Sequence, residues 1–198
     1  MLNGQIQIGA EFGVNSGRYN HSDLLGLTSS NKTDFYIAAH SRTQLSDLFS
    51  LGFDVDFRIK RFGVNGSATV PTAGEEIFRI RYIDFNPYLI YDINRNISLG
   101  LGSYLGLNFK AEYLFVDDIW DDISELDVYS DVDYGLLVNA RFTMNRFTFK
   151  VEYNYGLKDI SMIQFTNFSG QILGEGDQRY RNLQIGLAYY LYSSNGEY

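Results

Sequence analysis

Between Tyr82 and Tyr113 the side chains alternate in character, residue by residue, through two long segments joined by the polar turn Asp92-Ile93-Asn94-Arg95-Asn96. In the second segment Ile97, Leu99, Leu101, Leu105, Leu107, Phe109 and Tyr113 share one face. Ser98, Gly100, Gly102, Tyr104, Gly106, Asn108, Lys110 and Glu112 share the other. Strand side chains point alternately to opposite sides, whereas an amphipathic helix repeats its apolar residues three and four apart. The stretch therefore predicts a hairpin with one apolar and one polar face.

The same period runs through the rest of the chain. Ile6, Ile8, Ala10, Phe12 and Val14 oppose Gln7, Gly9, Glu11 and Gly13, and Phe35, Ile37, Ala39 and Leu45 oppose Tyr36, His40, Arg42 and Gln44. Leu51, Phe53, Val55, Phe57 and Ile59 oppose Gly52, Asp54, Asp56, Arg58 and Lys60. Later strands are expected from Val132 to Phe142, from Phe147 to Tyr155 and from Leu183 to Leu191. In the fourth strand Phe78 and Ile80 have even parity but Ile83, Phe85 and Leu89 have odd parity, which predicts a bulge near Arg81 or Tyr82. The total is about eight strands, and the connections alternate long and short, as in an up-and-down membrane barrel.

Alternation alone does not say which face is inside, and volume decides it. About forty bulky apolar side chains cannot fit within an eight-stranded barrel, whose interior is barely wide enough for side chains to fill. They must face lipid. Gly9, Gly13, Gly52, Gly100, Gly102, Gly106, Gly135, Gly156 and Gly186 fall on the polar face, where a crowded interior favours small residues. Tyr113, Tyr134, Tyr155 and Tyr189, near strand ends, suit interfacial girdles. The fold class expected is all-β, an eight-stranded antiparallel up-and-down transmembrane β-barrel, with residues 1–198 as a single domain.

Composition agrees. A formal net charge of −8 argues against a nucleic-acid partner, which would require clustered cations to meet phosphates. The absence of cysteine removes disulfides and thiolate metal sites and suits an exported chain. Mean hydropathy is only −0.18, but alternation hides an apolar face from any averaging window. The opening Met1-Leu2-Asn3-Gly4 lacks the basic and apolar run of a signal peptide and reads as a mature or re-engineered start.

The run Tyr82-Ile83-Asp84-Phe85-Asn86-Pro87-Tyr88-Leu89-Ile90-Tyr91, followed by Ile97-Ser98-Leu99-Gly100-Leu101-Gly102-Ser103-Tyr104-Leu105-Gly106, resembles the hairpin of the small outer-membrane barrel proteins of Bacteroidetes-type bacteria. Asp133-Tyr134-Gly135, the segment Tyr153 to Ile160 and the closing Arg181 to Tyr190 are similar to later parts of that family. The resemblance covers most of the chain and implies a porin-family barrel of OmpA or OmpX size, located in the bacterial outer membrane, with no single activity attached. Two departures are the continuation past Tyr192 and a long acidic segment after Tyr113.

With the faces assigned, Glu11, Arg42, Asp54, Asp56, Arg58, Lys60, Lys110, Glu112, Arg141, Lys150 and Glu152 point inward and are expected to form an ion-pair network that plugs the barrel. Arg79, Asp84 and Lys158 are expected to join them. Histidine is limited to His21 and His40, and His21-Ser22-Asp23 is adjacent in sequence only, which says nothing about a triad. No catalytic residues, metal ligands or cofactors are assigned. The function expected is a structural, binding or assembly role. A small porin-like channel is the alternative, and a lipid-modifying enzyme the third reading. Expected partners are outer-membrane lipid and lipopolysaccharide, and an outer-membrane protein complex reached through extracellular loops. Within the acidic segment Val116, Ile119, Trp120, Ile123 and Leu126 recur at three- and four-residue spacing, which predicts a short amphipathic helix. Ile119, Trp120, Ile123 and Leu126 would form its apolar stripe, folded over the barrel mouth or docking a partner, unless Asp118, Asp121, Asp122 and Glu125 on the other face serve instead as a carboxylate cluster for divalent cations.

Overall fold

The computed structural model describes residues 5–20, 28–65, 75–114, 119–126, 128–160, 164–166, 172–175 and 179–194. Eight long strands form the wall: β1 (Ile6–Asn20), β2 (Thr28–Gln44), β3 (Phe49–Asn65), β4 (Glu75–Asp92), β5 (Ile97–Leu114), β7 (Val132–Met144), β8 (Phe147–Gly156) and β11 (Arg179–Ser193). Three short ones are accessory, namely β6 (Trp120–Asp122), β9 (Gln164–Thr166) and β10 (Ile172–Glu175). Around the ring the order is β4-β3-β2-β1-β11-β8-β7-β5, and β5 pairs back onto β4 to close it. All pairings are antiparallel, so every wall strand has two neighbours and no open edge remains along the span.

The turns at one end are short because their residues suit tight geometry. Asn145 takes a left-handed φ of 54° in the two-residue link between β7 and β8, a conformation that asparagine tolerates. The Asn94 side chain accepts from the backbone N–H groups of Asn96 and Ile97, each at 2.9 Å, and so folds the β4–β5 turn. The long connections, and with them β6, β9 and β10, lie at the opposite, external end.

Burial follows the alternation. In β3 the even-numbered residues from Ser50 to Lys60 are buried, and Leu51, Phe53 and Phe57 are exposed. Exposed apolar side chains recur on all eight wall strands, a continuous belt far larger than the patches a soluble monomer shows. The interior is polar along most of its length.

The expected irregularity lies at Arg81/Tyr82, but the extra residue is on β5. Pairing between β3 and β4 is unbroken, and the even residues of β4 from Ile80 to Ile90 stay buried. On β5, Phe109 is skipped between the pairs Arg81↔Lys110 and Tyr82↔Asn108. Parity flips there. Ala111 enters the interior opposite Ile80, and Lys110 and Glu112 fall on the outer face, where Glu112 is buried among Arg79, Arg81 and Lys110. Ile80 has the look of a lipid-facing residue because the sequence pattern assumes a uniformly polar interior, whereas toward the external mouth the interior takes apolar residues as well. Tyr113, expected on the membrane face, pairs instead with Phe78, their rings 5.2 Å apart.

The amphipathic helix expected after Tyr113 does not form in the described residues of that segment. Val116 lies outside them. Trp120–Asp122 is a strand, and Ser124–Leu126 is one 3₁₀ turn. The reason is an edge. β7 begins opposite Leu107, so the top of β5 would present open backbone groups, and β6 pairs with them from Glu112↔Asp122 to Leu114↔Trp120.

Candidate functional site

The bore is filled in layers that follow β3 from the periplasmic to the external end. At the periplasmic mouth Arg42 reaches Asp92 at 2.6 Å and Ser50 at 3.1 Å, beside a polar cavity of about 640 Å³. Above it lies the densest charge cluster. Lys150 Nζ is 3.0 Å from Glu11, 3.0 Å from Asp54 and 3.5 Å from Glu152. Asp54 also accepts from Tyr88 at 2.7 Å, meets His40 Nδ1 at 2.6 Å and pairs with Arg141 at 3.4 Å. Tyr36 donates to Glu11, and His40 Nε2 lies 3.0 Å from the Tyr190 hydroxyl.

Arg58 occupies the next layer, 2.5 Å from Asp56 and 3.1 Å from Asp84. With its amide oriented to satisfy its neighbours, Gln184 accepts from Arg58 at 3.0 Å and donates to Glu152 at 2.7 Å. Higher still, the Lys60 ammonium sits 3.9 Å from the Tyr82 ring centre and 4.7 Å from that of Tyr180, and bonds Asp133 at 2.7 Å. The external mouth is closed by apolar packing of Phe62, Ile80, Tyr82, Ala111 and Tyr180 with Tyr129 and Ile160 from the connections above.

Small residues make the room. A side chain at Gly52 would run into the Tyr88 ring, and one at Gly102 into the backbone of Pro87 and Tyr88. The large interior tyrosines therefore stand against glycines on the neighbouring strand.

Of the residues named from the sequence, Glu11, Asp54, Asp56, Arg58, Lys60, Arg141, Lys150 and Glu152 are brought together deep in the bore, and Arg42 stands at its periplasmic mouth. Asp84 is inside too. Lys110 and Glu112 are not: the skipped Phe109 puts them on the outer surface, with Arg79. Lys158 is at the external end, donating to Ser130 at 2.6 Å. Asp133, His40 and the tyrosines at 36, 82, 88, 104, 180 and 190 belong to the interior but were not among the network residues. Their parity was a usable signal, since each shares the polar face of its strand, as Tyr180 and Tyr190 share that of Asn182 and Gln184.

The stripe expected of Ile119, Trp120, Ile123 and Leu126 is dispersed. Ile123 packs against the mouth cluster, Ile119 and Leu126 are exposed, and Trp120 covers Arg79 on the outside, 4.0 Å from its guanidinium to the ring centre. The strand at Trp120–Asp122 and the turn at Ser124–Leu126 replace the helical turns that would have aligned these residues. His21, Ser22 and Asp23 lie outside the described residues.

Among the described residues one group has metal-ligand spacing, Glu11, His40 and Asp54, with ligand atoms within 4.8 Å of one another. Lys150 already places a positive charge between the two carboxylates. The group is part of the ion-pair network.

Residues 3–161 match the family model described as outer membrane protein beta-barrel domain. No curated protein matches the sequence. Among solved structures, Neisserial surface protein A is 14% identical over 92% of this chain and 96% of its own, with a TM-score of 0.52. OprG from Pseudomonas aeruginosa is 14% identical over 96% of both chains, also at 0.52. Ail of Yersinia pestis, in complex with the heparin analogue sucrose octasulfate, is 14% identical over 96% of this chain and all of its own, at 0.50. These likenesses concern the fold. The filled bore, the apolar belt and the family match converge: the chain belongs to the outer membrane protein beta-barrel domain family, and its place is the bacterial outer membrane.

Proposed function

We propose that this protein is a sealed outer-membrane barrel with a structural, binding or assembly role, working through its exterior and its external connections. The observation that carries this reading is the occupied bore. Lys150, Arg141, Arg58 and Lys60 join carboxylates from different sides of the ring, and Phe62, Ile80, Tyr129 and Ile160 pack above them. A conducting porin would require a continuous aqueous path past these side chains. A barrel closed in this way leaves its outer wall and loops as the surfaces on which partners act.

Catalysis is not part of this reading: His40, the one histidine among the described residues, is buried inside the bore between Asp54 and Tyr190. The Tyr82–Tyr91 and Ile97–Gly106 hairpin supports placing the chain with the small Bacteroidetes-type, OmpA- and OmpX-like barrels. The partners proposed are outer-membrane lipid and lipopolysaccharide, together with an outer-membrane protein complex. The test is planar-bilayer recording from the purified protein, with mass spectrometry of what co-purifies after mild detergent extraction. Silent bilayers and a reproducible protein or glycolipid companion support the reading; stable stepwise currents overturn it.

A further inference from the structure

The outer surface of β3, β4 and β5 changes from apolar to cationic within one outward position. Reading upward, the lipid-facing positions run to Ile59, Ile83 and Phe109, and the next outward residues are Arg61, Arg81 and Lys110. Arg79 stands one outward position higher. Arg61 lies directly opposite Arg79 across β3 and β4, and Arg81 directly opposite Lys110 across β4 and β5. Like charges in directly facing positions repel and cost stability.

The chain supplies less negative charge than the cluster holds. Glu112 sits among three cations, 2.8 Å from Arg79, 3.0 Å from Arg81 and 3.1 Å from Lys110. Asp34 pairs with Arg61 at 3.0 Å, and Asp122, largely exposed, approaches Lys110 at 3.6 Å. The Nε groups of Arg61 and Arg81 are both buried without a hydrogen-bond acceptor. Trp120 covers one face of the Arg79 guanidinium, whose Nε donates to Glu112 at 2.8 Å. On the far side of the barrel a second pair of like charges, Arg18 and Arg181, faces across β1 and β11 toward the same external end.

We propose that Arg61, Arg79, Arg81 and Lys110, with Trp120 over Arg79, form a binding site for the phosphate group of an outer-leaflet glycolipid. The site borders the apolar belt at the external end, so an anion that binds there stands where lipid headgroups are and its acyl chains continue down the exposed residues of β3 to β5. Phosphate oxygens accept from guanidinium edges in forked geometry and relieve the repulsion between the facing cations. The inference rests on the outer-membrane location and is independent of whether the bore conducts.

The test uses detergent-solubilised full chain, with diphosphoryl lipid A as probe and two comparison ligands, enzymatically dephosphorylated lipid A and inorganic phosphate. Trp120, the only tryptophan, reports by fluorescence, and native mass spectrometry counts bound lipid. The result expected is a saturable Trp120 change and a bound lipid with the diphosphoryl form alone, weakened by added salt. The double substitution Arg61→Gln/Arg81→Gln weakens binding by about tenfold or more, and Arg146→Gln, at the opposite end, leaves it unchanged. Heat-dependent gel mobility reports whether each variant has assembled. Should the double variant not assemble, Lys110→Gln must show the weakening. Equal binding of dephosphorylated lipid A, the same response to inorganic phosphate at equal concentration, or unchanged affinity in an assembled variant overturns the site while leaving the barrel intact.

Discussion

Lys150 on β8 places its Nζ 3.0 Å from Asp54 on β3, four places away around a ring of eight strands, so this ion pair spans the bore at its diameter. Both side chains are essentially without solvent exposure. Burying two charges costs several kcal/mol each in desolvation, which the pair recovers only through close geometry and further hydrogen bonds. Asp54 meets that demand with Tyr88, His40 and Arg141. Removing Lys150 leaves Glu11, Asp54 and Glu152 facing one another. Lys150→Met is expected to destabilise the barrel by about 3–5 kcal/mol, read as a lower denaturant midpoint in micelles. In the double variant Lys150→Met/Asp54→Asn part of that loss should return, and strictly additive effects would contradict the coupling.

The closed bore predicts silence in planar bilayers at any salt concentration. The measurement is single-channel recording of the refolded protein, checked for assembly by its heat-dependent gel mobility. Regular stepwise currents from the assembled band would mean that the layers from Arg42 to Ile160 open in the membrane.

Gly52 lies opposite Tyr88 across β3 and β4, and a methyl group there meets the ring. Tyr88 has little freedom to yield, because its hydroxyl bonds Asp54 and Arg141 stacks on its ring at 4.5 Å. Gly52→Ala should cost about 1–3 kcal/mol through overpacking. An unfolding midpoint equal to that of the wild type would show that Tyr88 moves freely.

The mouth cluster depends on Ile160, fully buried, whose carbonyl accepts from the Ser130 N–H at 2.8 Å. Ile160→Ala is expected to lose about 2–5 kcal/mol of packing and to raise hydrogen exchange at Ser130, with interior amides of β3 unaffected. Unaltered exchange at Ser130 would show that the connection is held by other contacts.

Trp120 rests on Arg79 outside the wall and does not enter the core. Trp120→Ala should change barrel stability by no more than about 1 kcal/mol, the scale of a partly exposed cation–π contact. In the wild type its fluorescence should be open to an aqueous quencher and should shift on Arg79→Ala. Complete protection from quencher would place the ring inside the mouth.

Much of this was legible in the residues themselves. Strict alternation through segments such as Leu51–Lys60 and Ile97–Asn108 specifies strands and their two faces, because a strand cannot present neighbouring residues to the same side. Volume then assigns the apolar face to lipid, and the even strand count with long and short links specifies an up-and-down ring. The inward charges at Glu11, Asp54, Arg58, Lys60 and Lys150 follow from parity alone.

Pairing across the ring decided the rest. Period two cannot show a skipped residue when both flanking residues are plausible on either face, so Lys110 and Glu112 read as interior until the register of β5 against β4 placed Ala111 beside Ile80. Likewise the spacing in Ile119-Trp120-Asp121-Asp122-Ile123 fits a helix in isolation. The open top of β5, created by the late start of β7, supplied hydrogen-bond partners that a solitary helical turn lacks. Periodicity is a local property of the chain, and it determined the strands and their faces; partner identity, diametric ion pairs such as Lys150–Asp54 and the cationic band around Arg81 are properties of the closed ring, because only closure brings residues distant in sequence to one height.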